Sequence, residues 1–266
     1  LRHLGIPYAN FVTGGGDGMD VELVARFAEY LGVKYEFVQT DWAGAIGDLT
    51  GKKVKPKGND VEVLEEVPIR GDVIASGMTV LPWRQKAVAF SSPTFPTQVW
   101  VIARADSPLQ PIRPTGKVGS DIRAVKRLFR QRTVLCKKNT CLDPDLYDMD
   151  RTEAVVKLFN GALNELAPAL INGESELLLL DMPDAIIALQ KWPGRIKILG
   201  PMTDIQDMAA AFRKDSPRLR EKFNEFMAVC RKDGSYDRLV KKYYPAVAAY
   251  YAGFPKWKER TARLKR

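Results

Sequence analysis

The chain has 266 residues, 45% of them apolar, a length and composition that fit one large soluble domain or two lobes of ordinary size. No run approaches the roughly 20 apolar residues needed to span a bilayer, and the N-terminus lacks the basic-then-apolar pattern of a secretory leader, so an exported form has lost its leader. Of 41 Lys and Arg, 15 lie between 214 and 266 with only 6 of the 32 Asp and Glu, so the formal excess of +9 sits at the C-terminal end, which argues against the interleaved basic stripe of a nucleic-acid-binding domain.

In chain order, Asp20 is placed to cap a helix whose apolar residues Val21, Val24, Phe27, Ala28 and Leu31 share one face and which stops at Gly32. Val33, Tyr35 and Phe37 alternate as a strand, and a short helix follows Asp41 to about Leu49. Residues 50–70 are polar and charged with two prolines and read as an inserted surface loop or hairpin. The apolar run 72–78, bounded by Gly71 and Gly77, reads as a strand covered on both faces, with Thr79, Pro82, Trp83 and Arg84 just past its end. Ligands gather where strands end in open α/β sheets, so a hydroxyl and a guanidinium there suggest a carboxylate receptor.

Residues 98–105 form a further strand leading into the proline-rich linker DSPLQPIRPTG. Beyond it the pattern gives a basic helix at 121–130, a strand at 133–136, a helix at 152–163 and a strand at 176–180. Pro183 opens another helix ending near Gly194, with a strand at 195–200. Residues 208–212 form a strand, and a long helix begins with Ser216 as N-cap and Pro217 at its first position, with Gly234 just past its end. This alternation predicts α/β architecture with parallel-rich sheets flanked by helices.

The block GMTVLPWR followed by AFSSPTF resembles the signature of the amino-acid-type (family 3) extracellular solute-binding proteins. Three further blocks agree in order: GMDVEL at 18–23, DWAGAIGDL at 41–49, and MAAAFRKDSPRLREKFNEFM with DGSYDRLVKKYYP toward the C-terminus. The resemblance implies a two-lobed type II periplasmic binding (Venus-flytrap) fold. Residues 1–104 and 206–266 would build one lobe, the latter carrying the basic tail, and 105–205 the other.

It also implies site residues. Arg84 matches the carboxylate-binding arginine; by burial statistics alone, a lone arginine after a strand is usually a surface residue. Thr79 and Gly77 belong to the same receptor. Asp181, ending ELLLLD, matches the acceptor of an α-ammonium group, and equally has the look of an N-cap ahead of Pro183. Trp42 and Tyr8 are candidate aromatic walls, or core. Asn139 and Thr140 fall where the family has a Ser-Gly-Thr-like loop whose amides bind the carboxylate; Asn139 in place of glycine departs from that pattern, though Asn tolerates the left-handed region better than most residues.

Cys136 and Cys141 are close enough to bridge across a turn in an oxidising compartment, and a disulfide or two separate thiols both fit the spacing. Cys230 reads as a small buried apolar residue. With a single histidine, His3, and no second cysteine pair, no metal site, histidine triad or cofactor is expected. The ending FPKWKERTARLKR reads as a solvated basic face, or as a tether at an anionic membrane or to a further module.

These readings converge on a non-catalytic, monomeric, periplasmic or extracellular protein. It would capture an amino acid or similar small carboxylate by hinge closure and pass it to the membrane permease of an ABC transporter, with no nucleic-acid partner. A second reading is the sensing module of a membrane receptor or the regulatory part of an envelope enzyme. A third, resting on likeness to the cyclohexadienyl dehydratases, is an elimination with Asp181 or Glu174 as acid.

Overall fold

A computed structural model describes residues 1–262. The chain divides into two compact units, one built from residues 1–96 together with the segment from Asp207 onward, the other from Thr97–Gln206. The chain thus passes between units twice, along the strands Phe95–Thr97 and Gln206–Met208, which pair with each other.

The first unit holds a five-stranded sheet in the order Glu36–Gln39, Arg2–Gly5, Val73–Ile74, Ala211–Phe212, Ala89–Phe90. The first three run parallel, and Ala211–Phe212 enters antiparallel to both its neighbours. The helix Met19–Leu31 buries Leu23, Val24, Phe27 and Ala28 and ends at Gly32, whose left-handed backbone (φ 67°) returns its amide to the carbonyls of Ala28 and Glu29. Phe27 meets Phe223 of the long helix Pro217–Lys232 edge-on at 5.0 Å. A second cluster joins Leu4, Leu49, Ile74 and Trp83, with Trp42 packed against it. Full burial of each such side chain contributes about 1.5–3 kcal/mol.

The 50–70 segment is the hairpin Lys52–Lys57/Asp60–Glu66. Its outer side chains pair across the strands, Lys53 with Glu65 at 2.9 Å and Lys55 with Glu62 at 3.4 Å. Val54 and Val61 pack onto the Trp83 cluster, which fixes the hairpin beside the short helix Pro82–Ala87.

The second unit has the order Val155–Leu158, Thr133–Cys136, Leu177–Asp181, Val99–Arg104, Ile196–Pro201. Its first three strands are parallel, and Val99–Arg104 runs antiparallel to both neighbours. Leu177–Asp181 is buried along its whole length, as its uninterrupted apolar run requires of a central strand.

Three local expectations are corrected. Residues 152–163 are not helical: Val155–Leu158 forms an edge strand, because the β-branched Val155 and Val156 are zipped to the sheet by Val155 N–H to Arg132 O (2.8 Å) and Phe159 N–H to Cys136 O (2.9 Å). The 208–212 strand is split into Gln206–Met208 and Ala211–Phe212. Gly18, not Asp20, occupies the N-cap of the first helix. Residues 254–262 of the basic ending form a helix on the first unit with Lys256 and Arg260 exposed, Trp257 buried and its Nε1 donating to Asp207 at 2.7 Å; the rest of that ending lies outside the described residues.

Candidate functional site

In the first unit the strand Val73–Ile74 runs out through Ala75 and Ser76 into Gly77. Gly77 has φ 59°, and a Cβ there would stand 2.4 Å from the Phe11 ring, so only glycine fits the turn. Its N–H donates to Asp20 Oδ2 at 2.8 Å. Asp20 is thus the anchor of the turn rather than a helix cap, and burial pushes its carboxyl up to about 7, against the pull of that amide. The chain continues as Met78–Val80 beside the return segment, with Ala209 N–H to Met78 O at 3.0 Å and Val80 N–H to Asp207 O at 2.9 Å.

Pro82 then starts the helix Pro82–Ala87, and Arg84 is its third residue, in the first turn. Arg84 is only 2% exposed. Its Nη1 donates to the Thr79 carbonyl at 3.0 Å, and its guanidinium carbon lies 5.2 Å from the Trp42 ring centre and 5.3 Å from that of Trp83. Tyr8 meets Trp42 edge-on at 5.9 Å and stacks on Phe11. Arg84, Thr79, Gly77, Trp42 and Tyr8 are therefore one patch. Two indoles against a guanidinium fix its plane and contribute cation–π attraction, which suits it to grip both oxygens of a carboxylate.

In the second unit Asp181 closes the strand Leu177–Asp181 and stands at the N-cap position of the helix Met182–Lys191, yet its side chain makes no capping bond. Its Oδ2 instead accepts from the Cys141 thiol at 3.6 Å. One turn on, Asp184 is buried, and its carboxyl is pushed well above the usual range by that burial and then by the Asp181 charge.

The loop 137–147 folds against this strand end. Asn139 adopts the left-handed conformation (φ 61°), so it stands in for glycine. Its N–H donates to Asp143 Oδ2 at 2.8 Å, Asp143 Oδ1 accepts from Asp145 N–H at 3.1 Å, and Lys138 Nζ lies 3.3 Å from that same oxygen. Thr140 is buried, donating to Lys137 O at 2.8 Å and accepting from Leu142 N–H at 3.0 Å. A carboxylate of the chain itself thus occupies the Asn139 amide, a loop donor that the sequence resemblance assigns to a ligand.

Cys136 and Cys141 are separate buried thiols, not a disulfide. Cys136 Sγ points to Val134 O at 3.8 Å and its thiol is pushed up to about 12, chiefly by burial, while Cys141 faces Asp181. Glu174 is exposed. His3 is buried between Tyr35 Oη and Ala75 O, with its imidazole lowered to about 4 by desolvation. The sequence reading missed Asp20 as anchor, Asp143 and Asp184. Only Asp143 carried a local signal, since Asp-Pro with a carboxylate four residues past Asn139 favours a turn.

Residues 69–246 match the family model of the bacterial extracellular solute-binding proteins, family 3. The chain belongs to that family. Its fold is accordingly the α/β, two-lobed type II periplasmic binding fold, the architecture of proteins that bind solutes outside the cytoplasm. A mutant of ArgBP from T. maritima superposes with a TM-score of 0.72 at 26% identity, over 92% of this chain and 95% of that one. The lysine/arginine/ornithine-binding periplasmic protein of Escherichia coli K12 is 24% identical over 85% of this chain and 78% of its own length. Membrane-bound lytic murein transglycosylase F of Desulfosudis oleivorans is 24% identical over 91% of this chain, which spans only 48% of that protein. Among the described residues no helix is long and apolar enough to cross a membrane.

Proposed function

We propose that this member of the family captures a free amino acid or similar small carboxylate by hinge closure of its two lobes. The observation that carries the reading is Arg84, buried and oriented between Trp42 and Trp83 at the end of a sheet strand. Arg84 takes the ligand carboxylate, with Gly77 and Thr79 shaping the same receptor and Trp42 and Tyr8 walling the side chain. Asp181 takes the ammonium group. Asn139 and Thr140 shape the second lobe's contribution, but the Asn139 amide is committed to Asp143, so Arg84 bears the larger share of carboxylate recognition. Closure follows from contacts that the ligand makes better in the closed form.

The ligand would then pass to the permease of an ABC transporter. The competing reading, a ligand-responsive module of a longer envelope enzyme, is favoured by the match to the transglycosylase over 91% of this chain. Immunoblots of fractionated cells separate the two: a periplasmic species of this chain's length supports the transporter, a longer membrane-associated one the module.

The ligand reading is tested by thermal shift against amino acids, their derivatives and small carboxylates, followed by calorimetry on the hits. Arg84→Ala is expected to weaken binding by about 2–5 kcal/mol, because it strands a desolvated carboxylate. A loss smaller than twofold removes Arg84 from the site.

A further inference from the structure

Residues 113–132 of the second unit carry seven basic side chains and one acid, Asp121. The acid is turned inward: its Oδ1 accepts from the Thr115 amide at 2.9 Å and hydroxyl at 2.8 Å, and the residue is buried. On the same inner side of the helix Val118–Lys126, Val125 is buried where the helix packs on the strand Ile196–Pro201. The single carboxylate of the segment is therefore spent on the fold and leaves the outer face without a negative charge of its own.

Three of the bases are also committed. Lys126 donates to Tyr147 O at 2.6 Å, Arg130 pairs with Glu153 at 3.1 Å, and Arg132 donates to Leu128 O at 2.9 Å. The other four, Arg113, Lys117, Arg123 and Arg127, are exposed, and none has an ion-pair partner among the described residues. Lys117, Ser120, Arg123 and Arg127 follow at intervals of three, three and four, which sets them along one side of the helix and the turn after it. The Arg123 guanidinium is steadied by Ser120 Oγ at 3.0 Å.

From this we infer that the Lys117–Arg123–Arg127 face, with the exposed Arg113 shortly before it in the chain, docks on the anionic surface of a phospholipid bilayer. A row of exposed cations along one side of a helix matches an extended plane of negative headgroups. A threaded anionic polymer is normally held in a groove with aromatic platforms, and the one aromatic of this segment, Phe129, is buried. Each basic residue near such a surface raises partitioning about fivefold, and the attraction fades as the screening length shrinks with salt.

The test is co-sedimentation of the 266-residue chain with vesicles of phosphatidylcholine alone or mixed with phosphatidylglycerol, at low and at 0.5 M salt. Binding to the mixed vesicles only, released by salt and lost in a variant with Arg113, Lys117, Arg123 and Arg127 all changed to Gln, is expected. Circular dichroism shows whether that variant is folded, and single Gln variants, each expected to lower partitioning about fivefold, carry the test if it is not. The inference is overturned by equal binding to neutral vesicles, by no binding, or by single variants that all bind as the parent does. It is equally overturned if Lys256, Lys258 and Arg260 changed to Gln remove the binding instead, or if soluble polyphosphate is bound while vesicles are not.

Discussion

In the first unit Arg84 is held against aromatic rings and the Thr79 carbonyl, whereas in the second unit Asp143 holds the loop around Asn139 by accepting backbone amides. The first arrangement orients a cation by its faces. The second supplies its own carboxylate to the loop's backbone amides. Two halves of similar α/β construction therefore differ in what they bury at these places: a cation in one, a carboxylate in the other.

The largest effect on folding is expected at Gly77. Gly77→Ala places a Cβ 2.4 Å from the Phe11 ring at a left-handed backbone, so urea unfolding should show a loss of about 2–4 kcal/mol. A loss below half of that means the turn relaxes freely and the receptor is less rigid than the comparison holds.

Next is the carboxyl anchoring that turn. Asp20 has its folded value raised to about 7 by burial, so the folded state keeps a proton that the unfolded state gives up near pH 4. Stability contributed by the protonated group is complete below about pH 4 and is lost as pH rises through 7, by up to about 1.4 kcal/mol per pH unit. Asp20→Asn is expected to flatten that part of the stability profile; an unchanged slope assigns the pH dependence to another group.

The smallest change is expected in the second unit. Asp143→Ala leaves the Asn139 and Asp145 amides without their acceptor and should cost about 1–2 kcal/mol. If the same substitution strengthens ligand binding, the chain's own carboxylate competes with the ligand's for the loop, and the asymmetry between units is regulatory rather than fixed.

Much of the first unit's patch was legible because its signals are local. Gly77, Thr79, Pro82 and Arg84 fall within one turn and one helix start, and Trp42 lies in a recognisable turn ahead of the helix Ala45–Thr50. What escaped depends on contacts distant in sequence. Asp20 looks like a helix cap until Gly77 is brought to it, and the Cys141–Asp181 contact joins residues forty apart. The 152–163 segment was misjudged because its helical spacing is overruled by the open edge of Thr133–Cys136, which no periodicity within the segment reveals.

The position of Ala211–Phe212 inside the first sheet, between Val73–Ile74 and Ala89–Phe90, bears on the order in which the chain can finish folding. Emerging from its N-terminus, the chain completes every strand of the second sheet by Pro201, while the first sheet still lacks an interior strand. A chain stopped at Gln206 is therefore expected to protect residues 97–206 from protease and leave 1–96 open to it. The unit that contributes the arginine is thus the last to close, and until then its buried strands are the part of the newborn protein most in need of a chaperone.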